Sequence, residues 1–378
     1  MTNGNAGRRV LIVGTDGLRP DLFDANLMPT YARLIEQGTR ISEHHAVYPT
    51  HTRVNMSSLT SGCVPGKHGV VANVFRLDGA TDNGIVDTSN FKHLQELDRS
   101  SVGPAIKVPC LGEILDAHDA RVAVAATSSP GAGILWSRKH PYRMINTNTT
   151  YDRADLHSLR DKLGSLPPEG PDHRFERQHY AARAVTDVFL DDQEARLIVM
   201  WLNEPDSSLH YHGLGSAESH EAMRTCDEAL AHVLDGMDRR GIRDQFDIFL
   251  ISDHGHSTVK HHRSLAEYID RAGVALGNNF ELTTASDFVY ASGGNGSQPS
   301  ASDLEPLVRW FQEQPWAGAI FGGTPEIAAL PGVLPISATW NGLLTERAPL
   351  LAVSPTWTDE SNDRGVPGTV AAWDRFPR

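Results

Sequence analysis

Four short, continuous apolar runs recur along the chain, at residues 10–14 (VLIVG), 121–127, 196–202 and 246–252. A run of this kind, bounded by polar and turn residues, fits a strand buried on both faces of a parallel sheet. Between them, residues 28–37, 218–239 and 264–272 carry the spacing of helices. Strands separated by helices predict an α/β fold: a mostly parallel central sheet with helices on both faces. In such sheets sites collect beyond the carboxyl ends of the strands. Asp16, Asp206 and Asp253 each stand just past an apolar run, so all three are expected on one rim.

Two stretches fit this pattern poorly. Residues 75–105 are polar and loop-rich, and in residues 273–342 the run Gly293-Gly294-Asn295-Gly296-Ser297 and several prolines interrupt shorter elements. Both are expected to be insertions forming a cap over the rim of a single catalytic domain spanning residues 1–378. No internal repeat is evident.

Charge narrows the partners. The formal net charge is −13 and there is no long basic run, which argues against gripping nucleic acid along an extended backbone. A small anionic substrate would instead be drawn in by bound metal and a few local arginines. Cys63, Cys110 and Cys226 are an odd number at spacings unsuited to a disulfide framework or a thiolate metal site. The N-terminus carries no apolar signal region and no spanning stretch follows, so a cytoplasmic location without a membrane partner is the expectation. Oligomeric state is not encoded in any of these features.

The candidate chemistry lies in carboxylate and imidazole pairs. Asp206 precedes His210 by four residues, Asp253 is followed at once by His254, and Asp16 adds a further carboxylate. This donor set suits two divalent metal ions, zinc best, with manganese or iron as alternatives. Metal-assisted attack at phosphorus is the reaction it predicts. The segment Tyr48-Pro49-Thr50-His51-Thr52-Arg53 reads as a turn entering a helix. Thr52 there is either an N-cap or a nucleophile beside free helical N–H groups.

Taken jointly, Val13-Gly14-Thr15-Asp16-Gly17, Pro49-Thr50-His51-Thr52 with Asn55, Thr60-Ser61-Gly62 with His68-Gly69 and Asn73, Glu204-Pro205-Asp206 with His210, and Ser252-Asp253-His254-Gly255 decide more than any one of them. In order and local context they resemble the nucleotide pyrophosphatase/phosphodiesterase branch of the alkaline phosphatase superfamily, over about residues 8–256. The resemblance implies one metal held by Asp16, Asp253, His254 and Thr52, and a second held by Asp206, His210 and a third histidine. It implies Thr52 rather than Thr50 as nucleophile, a phospho-threonine intermediate, and Asn73 with the Thr52 N–H holding the phosphoryl oxygens.

Three features depart from the family pattern. No histidine follows His262, although the family's third ligand to the second metal comes late. A chain lacking a closing C-terminal strand and loop is the favoured explanation, with His261, His262, Asp359, Asp363, Asp374 or an empty second site as alternatives; the second metal is then expected to be weakly held. Arg53 replaces an aromatic residue that stacks on the base in nucleotide-cleaving members, and could stack or pair with phosphate. Trp201 is a candidate platform in the pocket or a core residue. Other histidines, His256 among them, are read as lying outside the ligand sets, and the acidic face from Glu218 to Glu228 as a solvated surface.

The leading expectation is a two-metal phosphodiesterase or nucleotide pyrophosphatase acting on a small phosphodiester or nucleotide-like substrate. Phosphonate or phosphomonoester hydrolysis is the alternative within the fold. A non-catalytic phosphate-ligand binder with one metal is the alternative of another class. Arg53 is the only cation visible near Thr52 in the sequence, which favours diesters over dianionic monoesters.

Overall fold

The apolar run after Arg8 forms the strand Arg9–Thr15, which lies inside a five-stranded, all-parallel sheet. The strand order is Arg143–Asn146, Arg121–Ala126, Ala195–Leu202, Arg9–Thr15, Phe246–Ile251. All four runs read from sequence are therefore strands of one sheet. The fifth, Arg143–Asn146, is a four-residue edge strand whose polar ends hide it from a hydrophobic scan. The structure, a computed structural model, describes residues 7–373 apart from 140, 150, 152–153, 169, 263–264, 273–279 and 293–297.

Helices flank this sheet where the spacing requires them. Ala217–Arg240 presents Cys226, Leu230, Val233, Leu234 and Met237 to the main core, all fully buried. Burial of each such aliphatic side chain is worth about 1.5–3 kcal/mol, so this one stripe accounts for much of the helix's docking. Ser216 caps its start by accepting from Ser219 N–H, and Gly241 ends it in the left-handed region. On the acidic face, Glu218, Glu221 and Glu228 are exposed as expected, but Asp227 is not. Its Oδ1 accepts the backbone N–H groups of Thr30 (2.8 Å) and Tyr31 (3.0 Å), the first free donors of the helix Pro29–Gln37.

Residues 75–105 form the hairpin Val74–Arg76 with Ile85–Asp87 and the helix Phe91–Arg99, and they send Phe75, Val86, Phe91, Leu94 and Leu97 into the main core. Beyond residue 280 a second five-stranded sheet builds its own core around Leu304, Leu307, Phe311 and Val353. A third sheet contains Thr258–His262 paired in parallel with the C-terminal strand Pro367–Trp373. Pro367–Trp373 is too mixed in composition to stand out as a strand in sequence. Among the described residues, no helix is long and apolar enough to cross a membrane.

Candidate active site

Three adjacent strands deliver the three aspartates. Asp16 follows Arg9–Thr15 directly; its N–H donates to Leu202 O (2.9 Å) and its carbonyl accepts from Asp206 N–H (3.1 Å). The loops leaving neighbouring strands are thereby tied together at backbone level. Asp206 opens the helix Asp206–His212, and His210 lies one turn on, the spacing that puts two side chains on one helical face. Asp253 Oδ1 accepts from Gly17 N–H (3.3 Å) and His254 N–H (3.1 Å), which leaves Oδ2 for other work.

His254 Nε2 is the meeting point. It lies 3.0 Å from Thr52 Oγ1, 3.4 Å from Asp16 Oδ1 and 3.5 Å from Asp253 Oδ2. Neither of those two buried carboxylate oxygens receives a hydrogen bond. Buried acceptors are almost always satisfied, so two orphans facing one imidazole and one hydroxyl fit the donor set of a divalent cation.

The protein's own electrostatics agree. Burial, then the neighbouring Asp253 and Asp206, push the Asp16 carboxyl well above the usual carboxylate range. Burial also acts to raise Asp206, yet His210 and His256 outweigh it and hold that carboxyl well below its ordinary value. His210 is raised in turn, Asp206 overcoming the effect of its burial. A cation among the carboxylates would relieve the repulsion that lifts Asp16.

Thr52 is the first residue of the helix Thr52–Ser61, whereas Thr50 is exposed and precedes the helix. Asn73 lies at this helix start, its Oδ1 accepting from Arg53 N–H (3.1 Å). Asn73 N–H donates to His51 Nδ1 (3.2 Å), and His51 Nε2 meets Asp287 Oδ2 of the second sheet at 3.0 Å.

Two readings of the pocket change. Trp201 is fully buried: Gly14 leaves the space its indole fills, since a Cβ there would sit 2.1 Å from Trp201 Cε3. Its Nε1–H reaches Asp16 Oδ2 at 3.4 Å, so it braces that carboxylate and offers no face to the cleft. Arg53 does line the cleft beside Thr52, with Nε donating to Thr88 Oγ1 (3.1 Å). It is not the lone cation there. Arg174 and Arg177, from the helix Arg174–Ala184, line the same cleft of ≈ 310 Å³ together with Ser128, Asn148 and Asn203. Residues about 120 positions away in sequence give no local sign of this convergence. Tyr211 is the one aromatic lining residue among those described.

His256 is the residue that sequence reasoning passed over. Its Nε2 lies 2.8 Å from Asp206 Oδ1, and its ring centroid is 4.6 Å from that of His210. The available signal was its place two residues after His254. His261, Asp359 and Asp363 are exposed and belong to neither ligand cluster; the His262 side chain and Asp374 lie outside the described residues.

Comparison with known proteins decides the family. The model of the type I phosphodiesterase/nucleotide pyrophosphatase family matches residues 10–308. The chain belongs to that family. Family membership thus extends the resemblance read over residues 8–256. A venom phosphodiesterase of Macrovipera lebetinus is 24% identical over 271 residues, 69% of this chain and 27% of the relative. Ectonucleotide pyrophosphatase/phosphodiesterase family member 1 of Rattus norvegicus is 24% identical over 251 residues, 65% of this chain and 24% of the relative. The chain spans about a quarter of the length of these curated relatives. Murine ectonucleotide pyrophosphatase/phosphodiesterase 5 shares the fold with a TM-score of 0.61 at 18% identity, covering 97% of this chain and 85% of that one. Phosphonoacetate hydrolase of Sinorhizobium meliloti does so with a TM-score of 0.62 at 17% identity, covering 96% and 83%.

Proposed function

We propose that this family member hydrolyses phosphodiester or pyrophosphate bonds of small substrates through Thr52, with two divalent cations, zinc being the best match to the ligands. The observation that carries the reading is the 3.0 Å approach of Thr52 Oγ1 to His254 Nε2 beside two orphaned carboxylate oxygens. Asp16, Asp253 and His254 would hold one cation, and Asp206 with His210 would contribute to holding the other. When bound, such cations neutralise developing charge and lower the pKa of coordinated hydroxyl groups and water.

Thr52 Oγ forms the bond to phosphorus as the alcohol or phosphate leaving group departs on the opposite side. The helix-start N–H of Thr52 and the Asn73 carboxamide hold the non-bridging oxygens, where negative charge develops. Water then displaces Thr52 Oγ from phosphorus and restores the hydroxyl. Thr52→Ala is expected to lose at least about 1,000-fold in turnover of bis(p-nitrophenyl) phosphate, the order of loss of a nucleophile, while Thr50→Ala keeps most activity. The reverse result removes the assignment.

A second reading has a specific observation behind it. Three guanidinium groups, of Arg53, Arg174 and Arg177, line a cleft together with Asp16, Asp206, several hydroxyl and amide side chains, and Tyr211. That lining suits a phosphomonoester or a phosphonate carrying a second anionic group, with Arg174 already paired to Glu204 (3.3 Å) and so held in place at the cleft wall. Matched nitrophenyl monoester, diester and phosphonate substrates separate the readings by kcat/KM. Diester preference supports the first; monoester or phosphonate preference abolished in Arg174→Gln supports the second.

A further inference from the structure

We infer that His256 is the third protein ligand of the second cation, taking over the role that family members assign to a late histidine this chain does not have. The inference rests on the two-cation reading above. Three imidazole nitrogens converge on one carboxylate oxygen: His256 Nε2 at 2.8 Å, His210 Nε2 at 3.4 Å and His254 Nε2 at 3.9 Å from Asp206 Oδ1. Asp206, His254 and His256 each offer a ligand atom within 4.8 Å of the others, as Asp16, Asp253 and His254 do for the first cation. With His254 shared at the boundary and assigned to the first cluster, Asp206, His210 and His256 supply one carboxylate and two imidazoles. Three protein donors with a position left for water or substrate is the usual composition of a catalytic zinc site.

The fold is built to put the imidazole there. Gly17 adopts φ +72°, and a Cβ at that position would stand 2.6 Å from His256 Nε2 and 3.1 Å from Asp206 Cβ. A glycine at residue 17 therefore serves two ends: the left-handed turn after Asp16, and the space for this ring. From the other side Arg19 Nη1 donates to the His256 carbonyl (2.8 Å) and to Pro367 O (2.9 Å). That contact ties the His256 backbone to the start of the C-terminal strand Pro367–Trp373. Only one residue, Gly255, separates His256 from His254, so a single short loop serves both clusters.

His256 could instead act only by orienting Asp206 through a hydrogen bond. A glutamine preserves an N–H donor but brings no imidazole, so His256→Gln distinguishes ligation from positioning. The demetallated 378-residue chain is titrated with Co2+, reading bound metal by equilibrium dialysis and coordination by visible absorption. The expected result is two ions in the wild type, and in both His256→Gln and His256→Ala one retained ion with the second weakened at least 100-fold. Retention of the first ion shows that each variant is folded at the site. Asp253→Ala should lose the other ion, and His261→Ala neither. Two ions held by His256→Gln with wild-type affinity and absorption would overturn the ligand role while leaving the two-cation reading intact. A wild-type protein binding one ion or none would overturn that reading and this inference together.

Discussion

His51 Nε2 stands 3.0 Å from Asp287 Oδ2, joining the residue that precedes the Thr52 helix to the hairpin turn between Glu281–Ala285 and Phe288–Ser292. The other ring nitrogen, Nδ1, accepts from Asn73 N–H at 3.2 Å, so Nε2 carries the proton and donates to the carboxylate. The second sheet thereby fixes the relative placement of Thr52 and Asn73. Asp287→Ala should lower kcat about 10-fold, the scale of losing an orienting partner of an active-site group, with metal content unchanged. Asp287→Asn, which keeps an acceptor, should recover part of the loss.

The first cation cluster should depend on each of its carboxylates. Asp253 Oδ2 and Asp16 Oδ1 are buried without hydrogen-bond donors, so removing either takes away one oxygen ligand and part of the negative charge that would hold a cation. Asp253→Ala is expected to cost at least about 100-fold in affinity for the first metal, the upper end of what even an outer partner costs. Metal analysis after dialysis reads this directly; full occupancy would contradict the assignment.

Asp227 should matter for stability although it lies far along an acidic helix face. Pro29 has no N–H, and the next two donors of its helix both end on Asp227 Oδ1. Asp227→Ala strands both groups in a buried setting and should cost about 2–3 kcal/mol in urea unfolding. Glu228→Ala, one position on and exposed, should fall within about 0.5 kcal/mol of the wild type.

Acid sensitivity should trace in part to His68. Its ring is fully buried, with Nδ1 accepting from Val70 N–H (3.1 Å) and Nε2 bonded to Ser58 Oγ (3.0 Å). Burial, with Arg347 nearby, pushes its pKa down to about 3 from 6.5. The neutral ring belongs to the folded state, while the unfolded chain takes up a proton below about pH 6.5. Stability from this group is therefore present above pH 6.5 and lost as pH falls toward 3, by up to about 5 kcal/mol. His68→Asn keeps an acceptor for the N–H two residues on and deletes the titration. Its urea midpoint should be lower than wild type at pH 7.5 but change less between pH 7.5 and pH 5.

The sequence by itself determined the central sheet and the placing of Asp16, Asp253 and His254 on one rim of it, because both are written in local pattern. A buried parallel strand needs a continuous apolar run, and a polar side chain on the rim needs only to lie in the first residues after that run. Asp16 and the Asp253-His254 pair follow from that alone, and Asp206 with His210 from the four-residue spacing of one helical face. Thr52 was legible through its place at a helix start and through family context.

The tertiary structure decided what depends on chain segments meeting. Trp201 looked available because it precedes Asp206, yet the space left by Gly14 on the adjacent strand takes the indole into the core. Arg174 and Arg177 joined Arg53 only when their helix packed beside the sheet. Pro367–Trp373 pairs with Thr258–His262, a contact across more than 100 residues that no local periodicity encodes. His256 shows the division most clearly. Its neighbours in sequence say only that it follows the Asp253-His254 pair, but whether its ring reaches Asp206 depends on the turn at Gly17 and the anchor at Arg19, and those distances exist only in the folded chain.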